Sequence, residues 1–172
     1  GSGAFSGTLT VNSGGTLAPG ASIDSLASGA LAFTTGSTFG YEMDFGVATS
    51  VGADLQVVTG NLSLTGTVTL TLANLTAGTF ADNTKFTLIN YSGSWNNGLF
   101  TYLGNSLADD STFSFNSQDW RIDYNASSGG NNFSSEQLGA NFVTMTAVPE
   151  PATWALLAFS LTTVLVLRRR RA

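Results

Sequence analysis

The sequence returns again and again to short runs in which apolar and polar residues alternate, each closed by a turn rich in glycine or asparagine. TLTV puts Leu9 and Val11 on one face, ALAF does the same for Leu31 and Phe33, and TFGYEMDF aligns Phe39, Tyr41, Met43 and Phe45. DLQVV aligns Leu55 with Val57, TVTLTL aligns Val68, Leu70 and Leu72, and KFTLI pairs Phe86 with Leu88. A strand sends successive side chains to opposite faces, so this period-two pattern with Thr and Val on the second face predicts strands. The interruptions are Gly-Gly, Pro-Gly, Thr-Gly and Asn-Asn-Gly, all turn chemistry. No stretch before Pro151 repeats apolar residues at helical spacing. The body is therefore expected to be all-β.

Composition narrows the function classes. Of 172 residues, 76 are Gly, Ser, Thr or Asn and only 10% are charged, yet 42% are apolar. That suits a turn-rich β-protein rather than a disordered chain, which would be highly charged and poor in β-formers. There is no cysteine and no histidine. Disulfides, thiolate metal sites, the commonest zinc ligand and every Ser-His or Cys-His pair are thereby excluded. Residues 1–147 carry ten carboxylates against Lys85 and Arg121. An anionic body releases no counterions from phosphates, so nucleic acid is not an expected partner. The chain opens on Gly1 with no apolar export segment, and we read this end as truncated, with a signal peptide and further coils upstream.

Two β architectures compete, a parallel helix of stacked coils and an antiparallel sandwich. From Leu9 to Leu31 is 22 residues and from Leu31 to Leu55 is 24, a spacing that suits coils. From Trp95 the rhythm loosens into Phe- and Asn-rich segments. We expect solenoid coils over 1–90 and an irregular, partly antiparallel cap over 91–147 that shields the last open edge.

SGGTLAPGASIDSL at Ser13–Leu26 resembles the G-G-T-L-x-P-G-x-S motif of autotransporter-type passenger β-helices. DLQVVTGNLSLTGTVTLTL at Asp54–Leu72 resembles the segment that follows it in those proteins. The resemblance covers about residues 7–90 and implies the C-terminal part of a right-handed parallel β-helix on a secreted or surface-displayed protein. Pro19-Gly20 would turn the coil, and Gly60 and Gly66 would let corners approach closely. An autotransporter ends in a membrane barrel, and none is encoded here.

The last 25 residues, AVPEPATWALLAFSLTTVLVLRRRRA without its first alanine, differ from everything before them. Pro149 and Pro151 push Val148 and Glu150 toward extended conformations, and Pro151 suits the first position of a helix. Ala152–Leu167 carries no charge; its sixteen residues would give a helix of roughly 24 Å, just able to span a bilayer whose core is ~30 Å thick. Trp154 would sit at one interface, and Arg168, Arg169, Arg170 and Arg171 would hold the C-terminus in the cytoplasm. The pattern closely resembles the PEP-CTERM sorting signal. Pro149, Glu150 and Pro151 match its processing motif, 152–167 its transmembrane-type helix and 168–171 its basic end, so that 148–172 forms a third unit. The resemblance implies an exosortase-type membrane processing enzyme as partner and transient anchoring in the inner membrane before release to the cell surface or exopolysaccharide matrix.

Other constellations have simpler readings. Glu42 and Asp44 share one strand face, and paired acids can do glycosidase chemistry; a solvated face opposite Tyr41, Met43 and Phe45 is the plainer account. Asp109, Asp110, Asp119 and Asp123 are oxygen ligands of the kind calcium takes, but they sit in ordinary turn sequence. Trp95, Trp120, Tyr91, Tyr102 and Tyr124 can stack on sugars, though strand alternation makes them core or cap residues more simply. No phosphate loop or dinucleotide motif appears, and no cofactor or metal is called for. The expectation is a non-catalytic secreted or surface-associated bacterial β-solenoid protein, structural or adhesin-like. The alternatives are a carbohydrate-active β-helix enzyme or a carbohydrate-binding protein, with its site upstream or near Glu42 and Asp44.

Overall fold

The computed structural model describes residues 3–20, 22–45, 52–130, 132 and 141–149. Within them the chain makes circuits that visit three sheets in turn. The first circuit is β1 (Gly3–Ala4), β2 (Leu9–Val11) and β3 (Thr16–Leu17), and the second is β4 (Ser25–Ser28), β5 (Leu31–Phe33) and β6 (Ser37–Asp44). After a short return strand, β7 (Gly52–Ala53), the third circuit is β8 (Leu55–Val58), β9 (Leu62–Leu64) and β10 (Val68–Asn74). The fourth is β11 (Lys85–Tyr91), an isolated parallel bridge from Trp95 to Leu62, and β12 (Phe100–Tyr102). Parallel ladders β1-β4-β8-β11, β2-β5-β9 and β3-β6-β10-β12 stack these circuits. Four more strands follow: β13 (Asn105–Ser106), β14 (Thr112–Phe115), β15 (Gln118–Ala126) and β16 (Asn141–Ala147).

Those last strands correct the expected fold class. The described residues are all-β, but they do not form a uniformly parallel β-helix, and no helix is among them. The seven-stranded sheet continues antiparallel from β11 through β16, β15 and β14, and β13 and β7 join the second sheet antiparallel. The physical reason is edge closure: the fourth circuit would leave a row of unpaired backbone groups, and antiparallel β16 on β11 and β13 on β12 supply their partners. The expected membrane helix and the inner-membrane anchoring built on it are corrected as well. Every described element is a strand, and among the described residues no helix is long and apolar enough to cross a membrane. Ala152–Leu167, like Glu150, Pro151 and Arg168–Arg171, lies outside the described residues.

One hydrophobic core runs from Val11 to Ala147 and touches all three sheets. In β6 the alternation is strict, with Phe39, Tyr41 and Met43 buried, while Phe45 beyond its end is 41% exposed. Phe33 and Phe39 of the second circuit and Phe100 of the fourth meet with ring centroids 5.7 to 6.2 Å apart. The coil spacing also needs correction. Leu31 pairs with Leu62, not Leu55, because the return strand β7 lengthens the second circuit. In β8 the alternation fails, with Leu55, Gln56 and Val58 all buried and Val57 only half-buried. Gly66 adopts φ +68°, and a Cβ there would meet the Thr35 hydroxyl, so this corner accepts only glycine.

Candidate functional site

Glu42 and Asp44 lie on the outer face of β6, both half-buried. The structure adds a third acid beside Glu42. Asp54, fully buried, accepts the Glu42 N–H at Oδ2 (3.0 Å) and the Asp24 N–H at Oδ1 (3.2 Å). Its own N–H donates to the Glu42 carbonyl (2.9 Å), so this one residue ties the start of the second circuit to its end. Burial pushes the Asp54 carboxyl up to about 6; the two N–H donors oppose that, and the charges of Glu42 and Asp24 add to it. A carboxylate held by backbone donors and closed to solvent is a structural pin that titrates. It has no opening through which to meet a substrate.

The loop acids do not converge. Asp109 accepts the Tyr124 N–H (2.9 Å) and the Asn125 Nδ2–H (2.9 Å), and Asp110 pairs with Arg121 (3.2 Å) in an exposed ion pair. Asp119 accepts the Ser114 hydroxyl, and Asp123 caps the Asn125 N–H (3.0 Å). Among the described residues no group of three or more acids is placed to hold a metal ion. Trp120, Tyr91 and Tyr124 are buried. Trp95 stacks flat on Tyr124, with centroids 4.9 Å apart and planes 4° apart, and Tyr102 packs on Phe113. The Tyr124 hydroxyl accepts the Phe100 N–H (2.8 Å) and donates to the Leu107 carbonyl (3.0 Å). These aromatics are committed to the core.

The described segment 141–149 ends at the first residue singled out by the sorting resemblance. The Ala147 N–H donates to Thr84, its carbonyl accepts the Asn83 N–H, and the Val148 N–H donates to the Asp119 carbonyl, each at 2.8 Å. Pro149 follows, exposed. At this end of the segment lies an open cleft of about 300 Å³ lined by Thr79, Phe80, Asp82, Ser117, Gln118 and Val148. Its walls are fastened by side chains. Gln118 accepts the Phe80 N–H (3.0 Å) and donates to the Phe80 carbonyl (2.8 Å), and Asn116 donates to the Gly78 carbonyl (2.8 Å). Phe80 itself meets Phe45, Phe86 and Trp120 edge to face at 4.9 to 5.7 Å. Asn116 and Ser117 both have positive φ (54° and 58°), which makes the tight β14–β15 hairpin that carries Ser117 to the rim.

Reading the sequence missed Asp54, Gln118 and Asn132. Asn132 is buried, accepts the Thr87 N–H (2.7 Å), and donates to the Tyr41 hydroxyl (2.8 Å) and the carbonyls of Asp54 (2.7 Å) and Thr87 (2.6 Å). The one available signal was in DLQVV, where Asp and Gln interrupt an otherwise apolar run. No known protein family matches this chain, and no curated protein matches it.

Proposed function

We propose that the chain is a non-catalytic scaffold or adhesin-like protein of a bacterial extracellular matrix, carrying a PEP-CTERM-type sorting tail that an exosortase-type enzyme reads. The observation that carries this reading is the single core spanning all three sheets, wrapped in outer faces of Thr, Ser and Asn. Such a body is stiff, because parallel ladders join every circuit to the next. Pro149, exposed two residues after Ala147, whose backbone is bonded on both sides, supports a processing strip accessible at its first residue.

Intact-mass measurement of the protein secreted by a host with an exosortase tests the sorting half. The mature form should lack Ala152–Ala172, and replacing Pro149 and Pro151 with Ala should leave the tail in place. A secreted form that still contains Trp154 and the arginines would refute it. For the non-catalytic half, no reducing ends should appear from neutral or acidic polysaccharides. Release that Glu42→Gln or Asp44→Asn abolishes would make the chain an enzyme.

A further inference from the structure

The cleft beside Val148 has a chemistry of its own. The Thr79 and Ser117 hydroxyls and the Asp82 carboxylate line it, all on exposed residues, and none of these side-chain groups is engaged by a hydrogen bond among the described residues. Gln118 differs, since both ends of its amide are spent on the Phe80 backbone. Phe80 supplies a half-buried apolar surface between them, held by three neighbouring rings. The site is built in advance, with an apolar patch and a few polar groups to orient what lies on it.

Those groups restrict the ligand. Among the described residues the cleft is lined by a carboxylate and no cation, since Lys85 donates to Ser128 and Arg121 pairs with Asp110. A phosphate, sulfate or uronate would meet only like charge. A purely apolar ligand would strip water from three polar groups and return no hydrogen bond. What fits is a neutral molecule with hydroxyls around its edge and a C–H face for the ring. We infer that this cleft is a binding subsite for a hexose unit of a neutral polysaccharide. Asp82 accepts sugar hydroxyls, Thr79 and Ser117 exchange hydrogen bonds with them, and Phe80 takes the apolar sugar face. The inference rests on the matrix reading above and names what the scaffold would hold.

Affinity electrophoresis of the full chain tests it, in native gels cast with a neutral glucan, with a galactomannan or with alginate. Retardation is expected in at least one neutral gel and not in alginate. Ser117→Gly removes the hydroxyl at a backbone angle glycine favours, and Asp82→Asn removes the charge without changing shape, so neither should disturb folding. Losing a charge-assisted hydrogen bond should weaken retention about tenfold or more in Asp82→Asn. Glu42→Gln, on another face, should leave it unchanged. No retardation in either neutral gel, equal retardation in alginate, or loss in Glu42→Gln with Asp82→Asn unaffected would each overturn the subsite. The scaffold and sorting reading would survive those outcomes, since intact mass and reducing-end release decide it separately.

Discussion

The parallel circuits and the antiparallel closure reach the same burial by different means. In the circuits, ladders run without a register shift; β10 and β6 pair over seven consecutive residues from Val68↔Ser37 to Asn74↔Met43. Like residues stack on like, as Leu9, Leu31 and Leu62 do, and this packing sets the register. In the closure, the register shifts twice, between Thr87 and Ile89 and between Asp123 and Ala126. There, single side chains that reach backbone groups do the aligning: Tyr124 on Phe100 and Leu107, Gln118 on Phe80, Asn132 on Thr87 and Asp54. Repetition aligns the first region, and directed hydrogen bonds align the second.

The largest effect should come from breaking repetition. Phe39 is fully buried and touches Phe33 and Phe100, rings from its own circuit and the fourth. Phe39→Ala should cost about 3–5 kcal/mol in denaturant unfolding, because cavity and transfer losses add. A cost under about 1 kcal/mol would mean that the circuits are not held by their core.

Next is the pin that ties the start of the second circuit to its end. Asp54 has a folded-state carboxyl pKa of about 6, above its unfolded value of 3.8. The folded chain therefore binds the extra proton, and this contribution is complete below about pH 4 and lost as pH rises through about 6. Relative to Asp54→Asn, the native chain should lose about 2 kcal/mol of stability between pH 4 and pH 8. Parallel pH profiles for the two proteins would dismiss Asp54 as a titrating pin.

These contrasts explain what a reader of the sequence can recover. Alternation identified the strands of the circuits because one face of each packs on the core; the burial of Phe39, Tyr41 and Met43 follows from spacing alone. The same rule misread β8, because Leu55 and Val57 look like its one inward side, whereas Leu55, Gln56 and Val58 are all buried, with Asp54 before them, and Val57 is only half-buried. Asp54 accepts from the Asp24 and Glu42 N–H groups and Gln56 donates to the Ser28 hydroxyl, partners that are distant in sequence and carry no local mark. The long second circuit was hidden for a similar reason, since β7 is two residues of Gly and Ala. Of the candidate site, Pro149 and its motif were legible as a pattern. The adjoining cleft was not, because it joins a loop near 80, a hairpin at 117 and Val148 after β16.

A smaller effect probes the directed bonds. Tyr124→Phe keeps the ring against Trp95 and Phe100 but leaves the Phe100 N–H and the Leu107 carbonyl buried without this partner. The loss should be about 2 kcal/mol, more than a typical hydrogen bond contributes, because two groups are orphaned. Hydrogen exchange should localise it, with faster exchange at Phe100 and unchanged protection at Leu31 and Leu62. Equal acceleration across the β2-β5-β9 ladder would erase the distinction between the regions.

The smallest expected effect tests whether charge has any part in the closure. The Arg121–Asp110 pair is the one salt bridge among the described residues, and its side chains are 46% and 65% exposed. Water screens such a pair, and ordering two mobile side chains offsets most of its attraction, so a double-mutant cycle with Arg121→Gln and Asp110→Asn should give a coupling below about 0.5 kcal/mol. Asn is the suitable replacement at 110, where φ is +59° and asparagine is tolerated. Raising the salt concentration should leave the stability of the native chain almost unchanged for the same reason. A coupling above about 1 kcal/mol would exceed the usual range for an exposed pair. It would mean that the β14–β15 hairpin is aligned by charge as well as by side chains reaching the backbone, and the division between packed circuits and hydrogen-bonded closure would have to be redrawn.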